Sequence, residues 1–184
     1  VEVFERVLET RKTLLGPDDP RTIQSMGELG ATCQRAGRFD EAVALLEDAL
    51  ARCRALNGPD HEETLTNMNN LALAYKEMDR RDEAIALLEE ALVLGRAKHG
   101  DDELESLSVA SNLATGYYDA GWFDKALPLL EKAHAIRHAR LGPDHPDTLV
   151  SMNNLAMIHQ KTGDLAKALP LLKESLELSK ARFG

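Results

Sequence analysis

Gly16, Gly58, Gly100, Gly142 and Gly184 stand 42 residues apart along the whole chain, and a ladder of that regularity restricts the fold to an array of equal supersecondary units. The flanking text repeats with the glycines. Leu15-Gly16-Pro17-Asp18-Asp19-Pro20, Asn57-Gly58-Pro59-Asp60-His61-Glu62 and Leu141-Gly142-Pro143-Asp144-His145-Pro146 are close copies, and Gly100-Asp101-Asp102-Glu103 is a weaker one. Two apolar patterns keep phase between the glycines. Leu29, Leu71, Leu113 and Leu155 form one column, with Gly30, Ala72, Ala114 and Ala156 beside it and Cys33, Tyr75, Tyr117 and His159 four positions on. These trace the inner face of a first helix. Ala42, Ala84, Ala126 and Ala168, then Leu46, Leu88, Leu130 and Leu172, then Ala49, Ala91, Ala133 and Ser175 recur at i, i+4 and i+7, the apolar stripe of a second helix.

The segments Gly37-Arg38-Phe39-Asp40, Asp79-Arg80-Arg81-Asp82, Gly121-Trp122-Phe123-Asp124 and Gly163-Asp164-Leu165-Ala166 separate the two patterns. They are short enough to force an antiparallel hairpin. Between repeats, Gly suits a left-handed position closing the second helix and Pro stops its continuation. Asp60 with Glu63, Asp102 with Glu105 and Asp144 with Asp147 have the spacing of an N-cap and an acidic third residue; Asp18 faces Arg21 instead. First helices are therefore predicted near 20–36, 62–78, 104–120 and 146–162, and second helices near 39–56, 81–98, 123–140 and 165–182. Residues 1–15 align with 43–57 as the second helix of a truncated repeat, followed by repeats at 16–57, 58–99, 100–141 and 142–184. Neither end reads as capped, and with no initial Met the chain is expected to be a segment of something longer.

Composition agrees with packed helices: apolar residues make up 43% of the chain but aromatics only 4%. The formal charge of −9, with no basic cluster, argues against a nucleic-acid partner. No stretch approaches the roughly 18 consecutive apolar residues of a membrane span, so no membrane partner is expected. Cys33 and Cys53 lie within helical patterns without a CxxC pair, which fits buried packing residues and a reduced, cytoplasmic setting.

The columns Leu-(Ala/Gly)-x-x-(aromatic or small) followed by Ala, Leu and Ala resemble tetratricopeptide repeats. The 42-residue period, the Leu-Gly-Pro-Asp-His-Pro turn and the first-helix signatures Asn69-Asn70-Leu71-Ala72 and Asn153-Asn154-Leu155-Ala156 are similar to the kinesin light chain type. Ser111-Asn112-Leu113-Ala114 keeps most of that signature, and Gly27-Glu28-Leu29-Gly30 loses it. The resemblance implies an all-α, right-handed superhelical α-solenoid of antiparallel helix pairs. It also implies a concave groove lined by first helices, in which asparagine amides hold an extended peptide by its backbone, offering both donor and acceptor.

Carried over residue by residue, the groove asparagine falls on Asn70, Asn112 and Asn154, with Glu28 in the first repeat. Asn69, Asn153, Ser111, Lys76, Tyr118, Lys161 and Arg35 are the neighbouring candidates, with Gln24, Gln34, Thr66, Glu77, Ser108, Thr115, Asp119 and Gln160 on the same face. Among these the charges balance, Arg35, Lys76 and Lys161 against Glu28, Glu77 and Asp119. At the position where chaperone-binding relatives carry a clamp lysine stand Gly27, Asn69, Ser111 and Asn153, which disfavours a chaperone-tail ligand. Tyr75 and Tyr117 occupy the packing column and are expected in the core.

No catalytic residues, metal site or cofactor is expected. His134 and His138 have a four-residue spacing that could place two imidazoles on one metal, but no third ligand is near in sequence. His61 and His145 recur only because the turn recurs. The chain is therefore read as a binding module for a protein or peptide. The alternative is a scaffold that self-associates end to end through Val3, Phe4, Val7 and Leu8 at the front and Leu172, Leu176 and Phe183 at the back.

Overall fold

The computed structural model describes residues 1–183 and, of Glu105 and Phe183, the backbone alone. The Glu105 half of the Asp102 pair, the exposure expected of Phe183 and the last glycine of the ladder, Gly184, lie outside the described residues. Among those residues the chain is all helix and turn: α1 (Glu2–Leu15), α2 (Pro20–Arg35), α3 (Phe39–Asn57), α4 (Glu62–Glu77), α5 (Arg81–His99), α6 (Leu104–Asp119), α7 (Phe123–Leu141), α8 (Pro146–Lys161) and α9 (Leu165–Phe183). Each boundary falls within a residue or so of the one the periodicity predicts. The helices group into two compact units, Val1–Lys98 and His99–Gly184.

In unit 1, α1 packs on α2, α2 on α3 and α3 on α4, and α2 also touches α4 directly. In unit 2, α6 packs on α7, α7 on α8 and α8 on α9, and α6 touches α8. The second helix thus lies beneath two successive first helices. Leu29, Leu71, Leu113 and Leu155 are buried, as are Ala72, Ala114, Ala156, Ala42, Ala84, Ala126 and Ala168 and the leucines Leu46, Leu88 and Leu130. Where the other repeats have alanine, Gly30 carries no side chain, and a Cβ there would stand 2.7 Å from Leu46 Cγ. Cys33 and Cys53 are free and buried. Of the two packing-column tyrosines, Tyr117 is buried but Tyr75 is only half-buried. Its hydroxyl donates to Glu47 at 2.7 Å and Arg80 lies 4.0 Å over its ring. Burial and the Glu47 carboxylate push the Tyr75 phenol up to about 12.

The turns differ from expectation in two ways. The left-handed closure belongs to the first helices: Arg38, Arg80, Trp122 and Asp164 donate their backbone N–H groups back to Cys33, Tyr75, Tyr117 and His159, the long-range bond of a Schellman motif. Its positive-φ position is Gly37, Asp79, Gly121 and Gly163. The second helices end instead on glycines such as Gly16, Gly58 and Gly142 with φ of 90, 91 and 94° and ψ of 164, 166 and 162°, an extended region open essentially to Gly alone.

The N-caps are also one residue later than predicted. Asp19, His61, Glu103 and His145 hold the cap position. Asp19 Oδ1 accepts from the Arg21 amide, and the His61 and His145 Nδ1 atoms accept from the Glu63 and Asp147 amides. The recurring histidines therefore cap helices. The aspartates one place earlier tie the turn to the end of the following second helix, Asp60 to Lys98 at 3.7 Å and Asp144 to Arg182 at 3.2 Å, because their carboxylates face outward once the neighbouring residue takes the cap.

At the ends, Val3, Phe4 and Val7 are exposed as expected, but Leu8 is only 3% exposed because it packs in the column of Leu50 and Leu92. Leu172 and Leu176 are 40% and 53% exposed. His134 occupies the same column as Leu8, half-buried, with Nδ1 3.1 Å from Ser151 Oγ and its ring 5.9 Å from that of His138.

Asp79 is the one described non-glycine residue at positive φ, 60°, where the other three repeats have glycine. Asp79→Gly is expected to stabilise the protein by about 1 kcal/mol, read as a raised thermal midpoint, because the exposed Asp79–Arg81 ion pair it removes contributes little. His134 yields a second expectation. Burial first, and then His138, hold its imidazole below the ordinary 6.5. On acidification through 6.5 the unfolded chain takes up a proton that the folded chain refuses, so stability falls as pH drops from 6.5 toward the lower folded value. His134→Leu, restoring the column residue, should flatten that part of a melting-temperature profile against pH.

Candidate functional site

An α-helix returns to the same face at i, i+4, i+7 and i+11, and on α2 these positions outside the core columns are Gln24, Glu28, Ala31 and Arg35. Together with Arg21 and Thr32 they form one wall of an open groove of about 760 Å³ in unit 1. The other wall comes from α4, with His61, Glu62, Thr66 and Asn70; Phe4 of α1 stands at the margin. Gly27 and Asn67, both buried, also line it.

Asn67 is held by bonds to the Glu63 carbonyl at 3.0 Å and the Cys53 thiol at 3.4 Å, the latter resting on α3. Burial pushes the Cys53 thiol up to about 11, so it stays a neutral packing group. A Cβ at Gly27 would stand 2.6 Å from Asn67 Oδ1; the absence of a side chain there is what lets Asn67 lie across α2. This accounts for glycine at Gly27, where the second and fourth repeats carry Asn69 and Asn153.

The charged walls of the groove are partly satisfied internally. Arg21 grips Asp19 with Nε and Nη2, each at 3.0 Å, and that hydrogen bonding lowers the Asp19 carboxyl below the usual range. Gln24 donates to Glu28 at 3.0 Å, and Arg35 donates to the Thr32 hydroxyl at 3.1 Å. Asn70 is half-buried, and among the described residues nothing pairs with its carboxamide. A donor and an acceptor that the fold leaves unused thus face the groove.

In unit 2 the corresponding first helices are α6 and α8. Asn112 is half-buried and already engaged. Asn154 is half-buried with no described partner, and Asn153 and Lys161 are exposed on the same helix. Tyr118 is half-buried, its ring edge-on to Phe123 at 5.6 Å. Ser111 does not face solvent as expected: it is buried, donates to the Leu107 carbonyl at 2.8 Å and accepts from Arg137 at 2.9 Å. In unit 1, Asn69 and Lys76 are half-buried and each already has a partner.

Sequence reasoning missed several groove residues. Ala31, Thr32 and Phe4 line the unit 1 groove, and α8 exposes Val150 and Met157, 54% and 45%, at the register of Gln24 and Ala31. The repeat phase could have found Val150 and Met157, since each stands in a column whose other members are polar or small.

Gly27→Ala is expected to destabilise unit 1 by roughly 1–3 kcal/mol, since Asn67 can yield only by giving up its two bonds. Chemical denaturation of the variant checks this, and an unchanged midpoint would show that Asn67 moves freely.

Comparison with known proteins places this arrangement. The sequence profile of the tetratricopeptide repeat family matches residues 1–55, 27–97 and 105–181. No curated protein sequence matches the chain. A kinesin light chain protein of P. anserina with nearly identical TPR-like repeats is similar in structure, with a TM-score of 0.81 at 29% identity, over 100% of this chain and 87% of that one. BtubC (BKLC) from P. vanneervenii has a TM-score of 0.86 at 26% identity, over 100% of this chain and 73% of that one. MamA shares the fold alone, with a TM-score of 0.69 at 19% identity over 97% and 90%. Helix pairs of this register, a profile match across most of the residues and two light-chain structures of the same build leave one assignment: the chain belongs to the tetratricopeptide repeat family, in its kinesin light chain-like form.

Proposed function

We propose that the chain is a protein-interaction module that holds an extended peptide along its first-helix faces, in unit 1 within the groove between α2 and α4. Tetratricopeptide repeats serve generally as protein-interaction modules, and one observation carries the finer reading here. Asn70 and Asn154 are half-buried, face outward from first helices and have no described partner for their carboxamides. A structural asparagine would be bonded to a neighbouring helix or cap, as Asn67 is. An unused amide at a groove wall instead offers one donor and one acceptor to a passing peptide backbone, irrespective of that peptide's side chains.

Side-chain preference then comes from the surroundings. In unit 1 these are the mixed charges of Arg35 and Glu28 over small residues, and on α8 the exposed apolar pair Val150 and Met157. Kinesin light chain-like relatives support the reading by their shared build, but they do not name the ligand.

The reading is tested with a displayed library of random peptides selected on the wild-type chain. Binding of the enriched peptides is then measured for Asn70→Ala/Asn112→Ala/Asn154→Ala. Loss of about tenfold or more in affinity, with unchanged helicity, is expected if two or three backbone hydrogen bonds of about 1 kcal/mol each are removed. Equal affinity in the variant would move binding away from the first-helix face.

A further inference from the structure

Leu50, Arg54 and Glu90 line one cleft of about 420 Å³ in unit 1, shared by α3 and α5 and also lined by Leu71 and Tyr75 of α4. Arg54 crosses it to Glu90 at 2.8 Å, tying α3 to α5. Two repeats on, the same register holds His134, His138 and Glu174 in unit 2. An apolar side chain and a cation have both become imidazoles, while the carboxylate is kept.

The first imidazole is set as a ligand by its surroundings. Ser151 of α8 donates its hydroxyl proton to the Thr148 carbonyl at 2.7 Å, so its oxygen accepts from His134 Nδ1, 3.1 Å away. That bond keeps the proton on Nδ1 and leaves the Nε2 lone pair free, the outer hydrogen bond by which metal-binding histidines are oriented. Among the described residues nothing pairs with Nε2. His138 stands one helical turn on and is exposed, its ring 5.9 Å from that of His134 at an angle of 64°. Two imidazoles bound through nitrogens ~2 Å from one ion stand roughly 5 Å apart, centre to centre, so rotation of His138 has about an ångström to close.

No third ligand is near in sequence, but α9 brings one near in space. The charge of Glu174 acts on His134, and no ion pair between Glu174 and either histidine is described. In unit 1 the long arginine spans the distance to the carboxylate; an imidazole is shorter, and a metal ion supplies the missing link. Among the described residues no three such donors already stand together in coordinating position. The histidine pair is therefore the preformed part, and the exposed Glu174 side chain is the arm that closes on it.

We propose that His134 and His138 chelate a divalent transition-metal ion of the zinc, nickel or copper class, with the Glu174 carboxylate as third ligand. Two neutral imidazoles beside one carboxylate suit these ions, whereas magnesium and calcium take oxygen donors. The bound ion ties α7 to α9 as the Arg54–Glu90 pair ties α3 to α5, but only when the metal is present. The site is built on second helices, so it stands or falls independently of peptide binding on the first-helix face.

The test is a titration of the wild-type chain with Zn2+, following the histidine ring resonances, with Mg2+ as control. His134 and His138 are expected to shift together and saturate at one equivalent of zinc, to ignore magnesium, and the melting midpoint is expected to rise with zinc. Two variants carry residues that the repeat itself places at these positions: His134→Leu, as at Leu50 and Leu92, and His138→Arg, as at Arg54 and Arg96. Both should fold and lose the one-equivalent binding. Ser151→Ala, which removes the outer hydrogen bond, should weaken zinc binding about tenfold, and Glu174→Gln, which keeps the shape and drops the charge, by at least as much. Zinc shifts centred on His61, His99, His145 or His159, or an affinity unchanged in His138→Arg, would overturn the site. Affinity untouched by both Ser151→Ala and Glu174→Gln would overturn it too, reducing the pair to an adventitious chelate on a helix surface. The wild-type titration decides the first of these outcomes without any variant.

Discussion

Close approach of helix backbones is the constraint on which the rest of the structure depends. Each first helix meets its second helix through a column of residues no larger than alanine, Gly30, Ala72, Ala114 and Ala156, set against alanines and leucines on the facing stripe. The limit is visible at Gly30, where a single added carbon would enter the volume of Leu46. Dispersion contacts fall away within an ångström of separation, so this near-touching geometry both stabilises each pair and fixes the height at which the outer residues stand. The groove walls are as well placed as they are because the small column beneath them admits no slack.

A second set of interactions holds the turns. Arg38 reaches Glu5 at 2.9 Å and Glu41, and Arg80 reaches Glu83 at 2.7 Å and lies over Tyr75. That hydrogen bonding holds the Glu41 and Glu83 carboxyls below the usual carboxylate range. These ion pairs are exposed and individually weak; Arg38–Glu41 and Arg80–Glu83 stand at the starts of α3 and α5, and Arg38–Glu5 ties the turn between α2 and α3 back to α1. In the third repeat the arginine is replaced by Trp122, over which Lys125 stacks at 4.7 Å, so a cation and an aromatic ring meet at the same corner by a different contact.

The helices and core were legible in the sequence because burial repeats: a column that stays apolar through four copies must lie against a neighbouring helix in each. The caps were not. Asp60 and His61 are adjacent and both can accept an N–H, and choosing between them requires the φ and ψ of the turn. The left-handed residue falls in a different glycine column from the expected one for the same reason, since Gly16 and Gly37 both have positive φ and are told apart by the bond that each turn closes. The groove was half legible. Its polar columns follow from phase, but the pairing of Asn67 with Cys53, the vacancy at Gly27 and the enclosure of Ser111 depend on which second-helix side chain lies beneath each first helix. That relation links residues 14 or more positions apart and leaves no periodic trace.

The offset between groove and core along a first helix is a single residue: Glu28 beside Leu29, Asn70 beside Leu71, Asn112 beside Leu113, Asn154 beside Leu155. Because neighbouring helical residues point about a quarter-turn or more apart, the outward member of each couple can change chemistry while the inward one keeps its contacts. Inheritance of the packing residue and inheritance of its outward neighbour are therefore separable within one short signature. Duplication of a repeat copies both at once, and later drift can rewrite the outward letters alone. The four copies here, carrying Glu, Asn, Asn and Asn over an unbroken run of leucines, have the form that such a history leaves.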